Sequence, residues 1–218
     1  GREHETQGMA SSQKLYTAMG SGVTLVVLLI LYYSRRALTS SRQELDHAAH
    51  HDALTGLPNR TLLRDRLEHA LQIADRNDSM VALLYLDLDH FKHINDSLGH
   101  PVGDSVLQVT AGRLKAQVRG EDTVARLGGD EFILILEQIS SPQEAGRVAG
   151  KVLEAFHDPF DLGEHSLHVT PSIGISLYPD DGEDAMTLIR NADAAMYRAK
   201  GKGRNNYQFY QKEFTEKA

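Results

Sequence analysis

The 218-residue chain contains no cysteine, which excludes disulfides and thiolate zinc sites. It has no basic surplus either. Its 23 Lys and Arg stand against 30 Asp and Glu, a formal net charge of −7, whereas a general nucleic-acid binder needs a basic footprint. Its eleven histidines are scattered apart from His47, His50 and His51, and that trio lies on a polar stretch that reads as a solvated linker rather than a metal site. No internal repeat recurs and no sensor domain is visible.

A further absence is local. From Leu15 to Tyr33 (LYTAMGSGVTLVVLLILYY) nineteen consecutive residues carry no charge, just enough for a helix to cross a bilayer. Tyr16, Tyr32 and Tyr33 stand near its ends, where amphipathic rings favour the interface. Lys14 precedes the run and Arg35, Arg36 and Arg42 follow it, so the positive-inside bias places the C-terminal side in the cytoplasm. Three other readings remain open. A cleaved signal peptide would need a small-residue cleavage site, which YYSRRALTS does not offer. The run is long for a buried core helix, and an amphipathic surface helix would need a polar face. The expected division is an N-terminal tail or tag over 1–14 with Met9 as a native start, one transmembrane helix over 15–33, a polar connector helix over 34–51, a folded domain over 52–211, and a tail or linker over 212–218. The expected location is the cytoplasmic membrane, single-pass, with the domain in the cytoplasm.

Hydrophobic spacing supplies the elements. Asn59, after Pro58, is an N-cap for a helix in which Leu62, Leu63, Leu67, Ala70, Leu71 and Ala74 recur at helical intervals. MVALLYLDLD (80–89) reads as a central strand, and residues 91–118 as a helix, a loop and a longer helix. TVARL (123–127) and FILIL (132–136) read as strands joined through Gly128 and Gly129, because glycine accepts the positive φ of a tight hairpin. Residues 141–156 are helical, 165–179 hold strand material with an irregularity at Pro171, 183–203 form a helix ended by glycines, and 205–210 form a last strand. Helices mixed with hairpins, without strict βα alternation, predict an α+β fold with a mostly antiparallel sheet.

The central strand ends in LDLDHFK, so Asp87 and Asp89 share a face if the strand persists. Acids there can converge with Asp130 and Glu131 of the hairpin. Carboxylates held close repel, raise one another's pKa, or demand a cation. Without thiolates that cation is hard, Mg²⁺ above all. Such sites also take substrate phosphates. Lys92, Lys200 and Arg204 are candidate phosphate partners, and Gly128 and Gly129 let a phosphate approach the backbone. The set suits metal-assisted phosphoryl or nucleotidyl transfer. The alternative is a solvated turn with two surface acids.

DALTGLPNR (52–60), LDLDHFKHINDSLGHPVGD (86–104), RLGGDEF (126–132), SIGISLYP (172–179) and ADAAMYRAKGKGRN (192–205) follow one another in an order that resembles the GGDEF family of bacterial diguanylate cyclases, over residues 48–211. The resemblance implies a fold like the nucleotide-cyclase and polymerase palm, a mostly antiparallel sheet flanked by helices. It implies that each domain binds one GTP, and that two domains meet as a homodimer. Each 3′-hydroxyl then attacks the other's α-phosphate, giving cyclic di-GMP and two pyrophosphates. Carried over, Asp87, the Leu88 carbonyl and Asp130 hold Mg²⁺ (or Mn²⁺). Asp130 also helps deprotonate the 3′-hydroxyl, and Glu131 supports the metal site. Asn95 and Asp104 match the guanine-reading positions, with His100 on the base side. Lys92, Lys200 and Arg204 match phosphate positions, and Gly128 and Gly129 allow close approach. Arg119 and Asp122 of RGED match an RxxD inhibitory product site, with Arg147 as a second guanidinium.

Each residue has a structural reading beside the functional one. Asn95 and Asp96 suit a helix end, Asp104 suits an N-cap for a helix from Ser105, and Lys200 and Arg204 complement a helix C-terminus. RGED suits a solvated loop. A competing function is a non-catalytic GGDEF module that binds GTP or cyclic di-GMP and regulates a partner. NNYQFYQKEFTEKA (205–218) also resembles the segment that joins GGDEF domains to EAL phosphodiesterase domains, so coupling to such a domain is a further expectation.

Overall fold

The computed structural model describes residues 48–214 together with Tyr32, Tyr33, Arg35 and Arg36. The chain divides into two units, residues 1–48 and 49–218. In the first, the five described residues (Tyr32, Tyr33, Arg35, Arg36 and Ala48) are helical, and the Tyr32 and Tyr33 rings meet edge to face at 5.5 Å. The expected span over 15–33 otherwise lies outside the described residues. So does most of the connector over 34–51, which is helical at Arg35, Arg36 and Ala48–His50. Among the described residues no helix is long and apolar enough to cross a membrane.

The second unit begins with an isolated bridge between His51 and Pro58. Helix α1 spans Arg60–Asn77, capped as expected by the Asn59 side chain, which accepts from the Thr61 and Leu62 amides. Strand β1 is Met80–Leu88, α2 is Phe91–Leu98 and α3 is His100–Lys115. The hairpin follows as β2 (Thr123–Gly128) and β3 (Glu131–Ile139), then α4 (Pro142–Ala155), β4 (Phe160–Leu162), β5 (His165–Leu167), β6 (Pro171–Tyr178), α5 (Ala185–Gly201) and β7 (Tyr207–Phe209). A short 3₁₀ turn at Lys212–Phe214 ends the described chain.

The main sheet has the order β2-β3-β1-β6-β7. Its first three pairings are antiparallel and β6–β7 is parallel, so the sheet is mixed, as a mostly antiparallel α+β fold allows. β1 is central because both its faces are apolar. Leu84, Leu86 and Leu88 pack with Phe132, Leu134, Ile173 and Ile175 against α3 and α4. Val81, Leu83 and Tyr85 pack with Ile133 and Ile135 against α1 and α5. On this second face β6 presents Ser172, Gly174 and Ser176. A Cβ at Gly174 would overlap the α5 backbone at Ala192 and Met196, so α5 lies directly on the strand. That approach carries Lys200, near the end of α5, to the end of β1.

Three expectations are corrected. Pro171 does not interrupt a strand; it opens β6, where it pairs with Leu88. A separate two-stranded ribbon, β4–β5, precedes it, its strands too short to register as a periodic pattern. Nor does the longer helix start at Ser105 with Asp104 as its cap: α3 starts at His100, and Gly99, at φ +86°, is the single residue separating it from α2.

Candidate functional site

The glycine pair turns the β2–β3 hairpin as its sequence requires. Gly128 (φ +142°) pairs with Glu131 across a turn made by Gly129 (φ +53°) and Asp130. Both glycines face open space, so the backbone there can be approached closely. The hairpin is tied to the end of β1, where Asp87 pairs with Glu131 and the Leu88 amide donates to the Asp130 carbonyl at 3.3 Å. Asp87 and Glu131 occupy the face covered by α5. Here Lys200 Nζ lies 2.8 Å from Asp87 Oδ1.

The electrostatics of this corner are set by crowded acids. Burial pushes the Asp87 carboxyl above its usual range; the neighbouring charges of Asp130 and Glu131 add to the rise, and the Lys200 ammonium opposes it. Asp193 on α5 is also raised, by burial first and then by Glu131. The Tyr85 phenol is pushed up as well, by burial and by the charge and hydrogen bond of Glu131.

Among the described residues no three His, Asp or Glu side chains converge into a ready-made metal cage. The expected trio is therefore a neighbourhood of like charges rather than a closed ligand set. This still fits a magnesium nucleotide. Mg²⁺ keeps several waters and is held by one or two carboxylates plus substrate phosphates, not by an all-protein cage. A desolvated Asp87 beside two further carboxylates is a place where a cation lowers the electrostatic cost.

Asp89 departs from its expected place. β1 stops at Leu88, and the Asp89 amide donates to the Thr170 carbonyl. Its carboxylate accepts from the Thr170 and Ser172 hydroxyls, both at 2.7 Å, and from the Asn205 amide at 3.2 Å. Arg204 Nε lies 3.9 Å from it. Asp89 is thus a buried brace that fixes the Arg204 loop next to the site, not a partner of Asp87 on one strand face. Lys200 and Arg204 both reach the site region, each placed against an acid. Lys92, on α2, is exposed.

At the α2–α3 junction the predicted base-reading residues come together. A Cβ at Gly103 would overlap Asn95 Oδ1, so the absent side chain is what lets Asn95 lie against α3, one residue from Asp104. Asp104 and His100 are exposed on the first turns of α3. Asn95 also sits in the last turn of α2, where its carbonyl accepts from the Gly99 amide, so its helix-end reading holds alongside.

Arg119 and Asp122 form a built loop. The Asp122 carboxylate accepts from the Arg119 amide at 2.9 Å and the Glu137 amide at 3.2 Å. The Arg119 guanidinium stands 4.0 Å from Glu144. Together with Arg147 and Lys151 they line a cavity of about 210 Å³ against α4.

Two residues escaped the sequence reading. Arg126 is buried in β2, donates to both Asp52 carboxylate oxygens at 2.9 and 3.1 Å, and donates to the Gly129 carbonyl at 2.8 Å. Burial works to raise Asp52, but hydrogen bonds from Thr55 and Arg126 outweigh it and hold the carboxyl below its usual value. The glycine turn is thereby clamped to the start of the domain. The one available signal was an arginine inside an otherwise apolar strand.

An α+β domain thus holds a glycine hairpin, a desolvated acid and a basic helix end at one corner. The profile described as "Diguanylate cyclase, GGDEF domain" matches residues 49–206, and the chain belongs to that family. It is 47% identical over 182 residues, 84% of its length, to the bifunctional diguanylate cyclase/cyclic di-GMP phosphodiesterase MucR of Pseudomonas aeruginosa, and covers 26% of that protein. Diguanylate cyclase TpbB of the same organism is 42% identical over 170 residues, 78% of this chain and 39% of the relative. The chain thus spans only a quarter to two-fifths of these curated relatives. The solved GGDEF domain of TpbB superposes with a TM-score of 0.75 at 39% identity, covering 77% of this chain and 98% of that one. The coiled coil and GGDEF domain of DgcB from Caulobacter crescentus, solved in complex with c-di-GMP, gives 0.72 at 27% identity over 84% of this chain and 96% of that one.

Proposed function

We propose that this domain is an active diguanylate cyclase that condenses two GTP into cyclic di-GMP and releases two pyrophosphates. The observation that carries the reading is the retained acidic corner, with buried Asp87 facing Glu131 across the β1–β3 pairing beside the Gly129–Asp130 turn. Desolvated carboxylates beside an open glycine turn suit a metal-bound nucleotide rather than a bare one.

Asp87, the Leu88 carbonyl, Asp130 and Glu131 are the residues that would hold Mg²⁺ or Mn²⁺. When bound, the ion neutralises charge at the α-phosphate and acidifies the attacking 3′-hydroxyl. The chain's own groups do the rest. Gly128 and Gly129 leave the turn open to the triphosphate. Lys200, Arg204 and Lys92 supply positive charge around it. Asp130 accepts the 3′-hydroxyl proton. Asp104 accepts from the guanine N1–H and amino group, Asn95 adds an amide beside it, and His100 borders the base. Adenine lacks that donor pair, which separates GTP from ATP. One domain holds one nucleotide, so catalysis takes two domains facing each other in a homodimer.

The membrane anchor also belongs to this proposal, with a single span over 15–33 and the domain in the cytoplasm. Its support is the uncharged run and the arginines after it. A stalk over 34–51 would raise the effective concentration of the partner domain.

Product inhibition through Arg119 and Asp122 completes the reading. Arg119 forks onto a guanine edge or phosphate, Asp122 accepts from guanine nitrogens, and Arg147 borders the same cavity. Cyclic di-GMP held there would couple to the GTP site through domain arrangement. Arg119→Ala is expected to relieve inhibition by added cyclic di-GMP, raising the half-inhibiting concentration about tenfold or more with the uninhibited rate unchanged. Inhibition curves of variant and parent, measured on GTP turnover with ATP as the control substrate, test both the activity and this site. An inhibition curve identical to the parent's would leave RGED as a loop only.

A further inference from the structure

Tyr85 reads as core. It sits in the middle of β1, paired with Ile133 on one side and Gly174 on the other, and is 6% exposed. Its neighbours on that face, Val81, Leu83, Ile133 and Ile135, are all aliphatic. A phenylalanine would fill such a place, yet the chain carries a hydroxyl there. A buried hydroxyl needs a partner. Here the Glu131 carboxylate lies within the phenol's reach on the same face, and its charge and hydrogen bond help push the phenol's pKa up, after burial. The geometry follows from the pairing. Asp87 lies opposite Glu131, and Tyr85 is two residues back on the same face, so the phenol reaches Glu131 along the diagonal of the antiparallel pair.

What surrounds Glu131 gives this hydrogen bond a task. Asp87 stands across the strand, Asp130 precedes it, and Asp193 approaches from α5. Lys200, the nearby cation, is engaged by Asp87 at 2.8 Å. Surrounded by acids, the Glu131 side chain would be driven outward by repulsion. The phenol is a neutral donor on a rigid strand, locked between β3 and β6, with no acidic charge of its own.

We propose that Tyr85 is a positioning residue for the metal–nucleotide site: its hydroxyl holds Glu131 in the orientation from which that carboxylate reaches the divalent cation. The inference rests on the assignment of Glu131 to the metal site in the proposed function. Groups that hydrogen-bond a ligating side chain typically alter metal affinity about 10–100-fold when removed. A neutral donor to one ligand of several belongs at the lower end of that range.

The test is Tyr85→Phe in the full chain. The change removes one oxygen and keeps the ring. The ring also borders a groove of about 800 Å³ between α1 and α5, so the face can adjust. Mn²⁺ binding is measured by electron paramagnetic resonance in the presence of an α-thio GTP analogue, for parent and variant, with thermal unfolding of both. The expected result is about tenfold weaker Mn²⁺ binding by the variant with an unfolding curve near the parent's. GTP turnover should then need correspondingly more Mg²⁺ and recover at saturating metal. Tyr85→Leu, which loses the ring as well, separates packing from positioning: it should lower the unfolding temperature while weakening Mn²⁺ no further than Phe does. Equal Mn²⁺ affinity in the parent and Tyr85→Phe would overturn the proposal, as would a parent that binds no Mn²⁺. A parent that binds Mn²⁺ more tightly than the variant but makes no cyclic di-GMP would support the positioning role and count against the proposed activity alone.

Discussion

Asp130→Ala is expected to abolish cyclic di-GMP formation while the domain stays folded. The side chain sits at the tip of the β2–β3 turn, half exposed, and its backbone carbonyl, which accepts from Leu88, survives the substitution. The turn is also held from behind by Arg126 on the Gly129 carbonyl and by Asp52 on Arg126. Little fold stability therefore depends on the carboxylate. Its proposed work is at the metal and at the attacking hydroxyl. Loss of several kcal/mol of transition-state stabilisation corresponds to a rate reduction of about a thousandfold or more. Circular dichroism on heating should match the parent, and chromatography of the GTP reaction should find no product. Retained turnover would remove Asp130 from the chemistry.

The second large effect is expected at Asp104. Asp104→Ala should lower kcat/KM for GTP about a hundredfold or more, because a site built to hydrogen-bond a donor pair loses its acceptor. Discrimination against ATP should narrow with it. Asp104 is exposed on α3 and caps nothing: the helix already begins at His100 after Gly99. Stability should accordingly change by only about 0.5 kcal/mol or less, as for a surface substitution. Competition between GTP and ATP, read as product ratios, measures the effect. An unchanged ratio with full activity would return Asp104 to the surface.

The central hairpin was legible because two signals coincide: apolar β-formers on both sides and a glycine pair between them, with nothing remote needed. The first helix was legible for the same reason, its cap and its apolar stripe lying within one short stretch. Asp89 was not. Nothing in LDLDHFK shows that the strand ends one residue early; that depends on Thr170 and Ser172, 81 and 83 residues away. Arg126 was hidden likewise, since its partner Asp52 is 74 residues distant. The α2–α3 break was read from the sequence, but as a loop; the structure makes it with the single residue Gly99, at φ +86°, without the polar stretch that ordinarily separates helices. β4 was missed, and β5 was read only as part of the strand material over 165–179, because three-residue strands carry too few alternations to stand apart. Of the expected site, the Asn95–Asp104 neighbourhood and the Asp87–Glu131 pairing were reached from motifs. The Asp87–Lys200 ion pair and the Tyr85 hydrogen bond arise from how α5 and β3 meet β1, which no local pattern encodes.

The most direct test of the account is the product made from GTP. The purified chain, incubated with GTP and Mg²⁺, should yield a species with the mass and retention of cyclic di-GMP. Two pyrophosphates should appear for each molecule of it, ATP should remain unconsumed, and the reaction should stop when the metal is chelated. Intact GTP after prolonged incubation of folded, dimeric protein, or a product other than the cyclic dinucleotide, would contradict it.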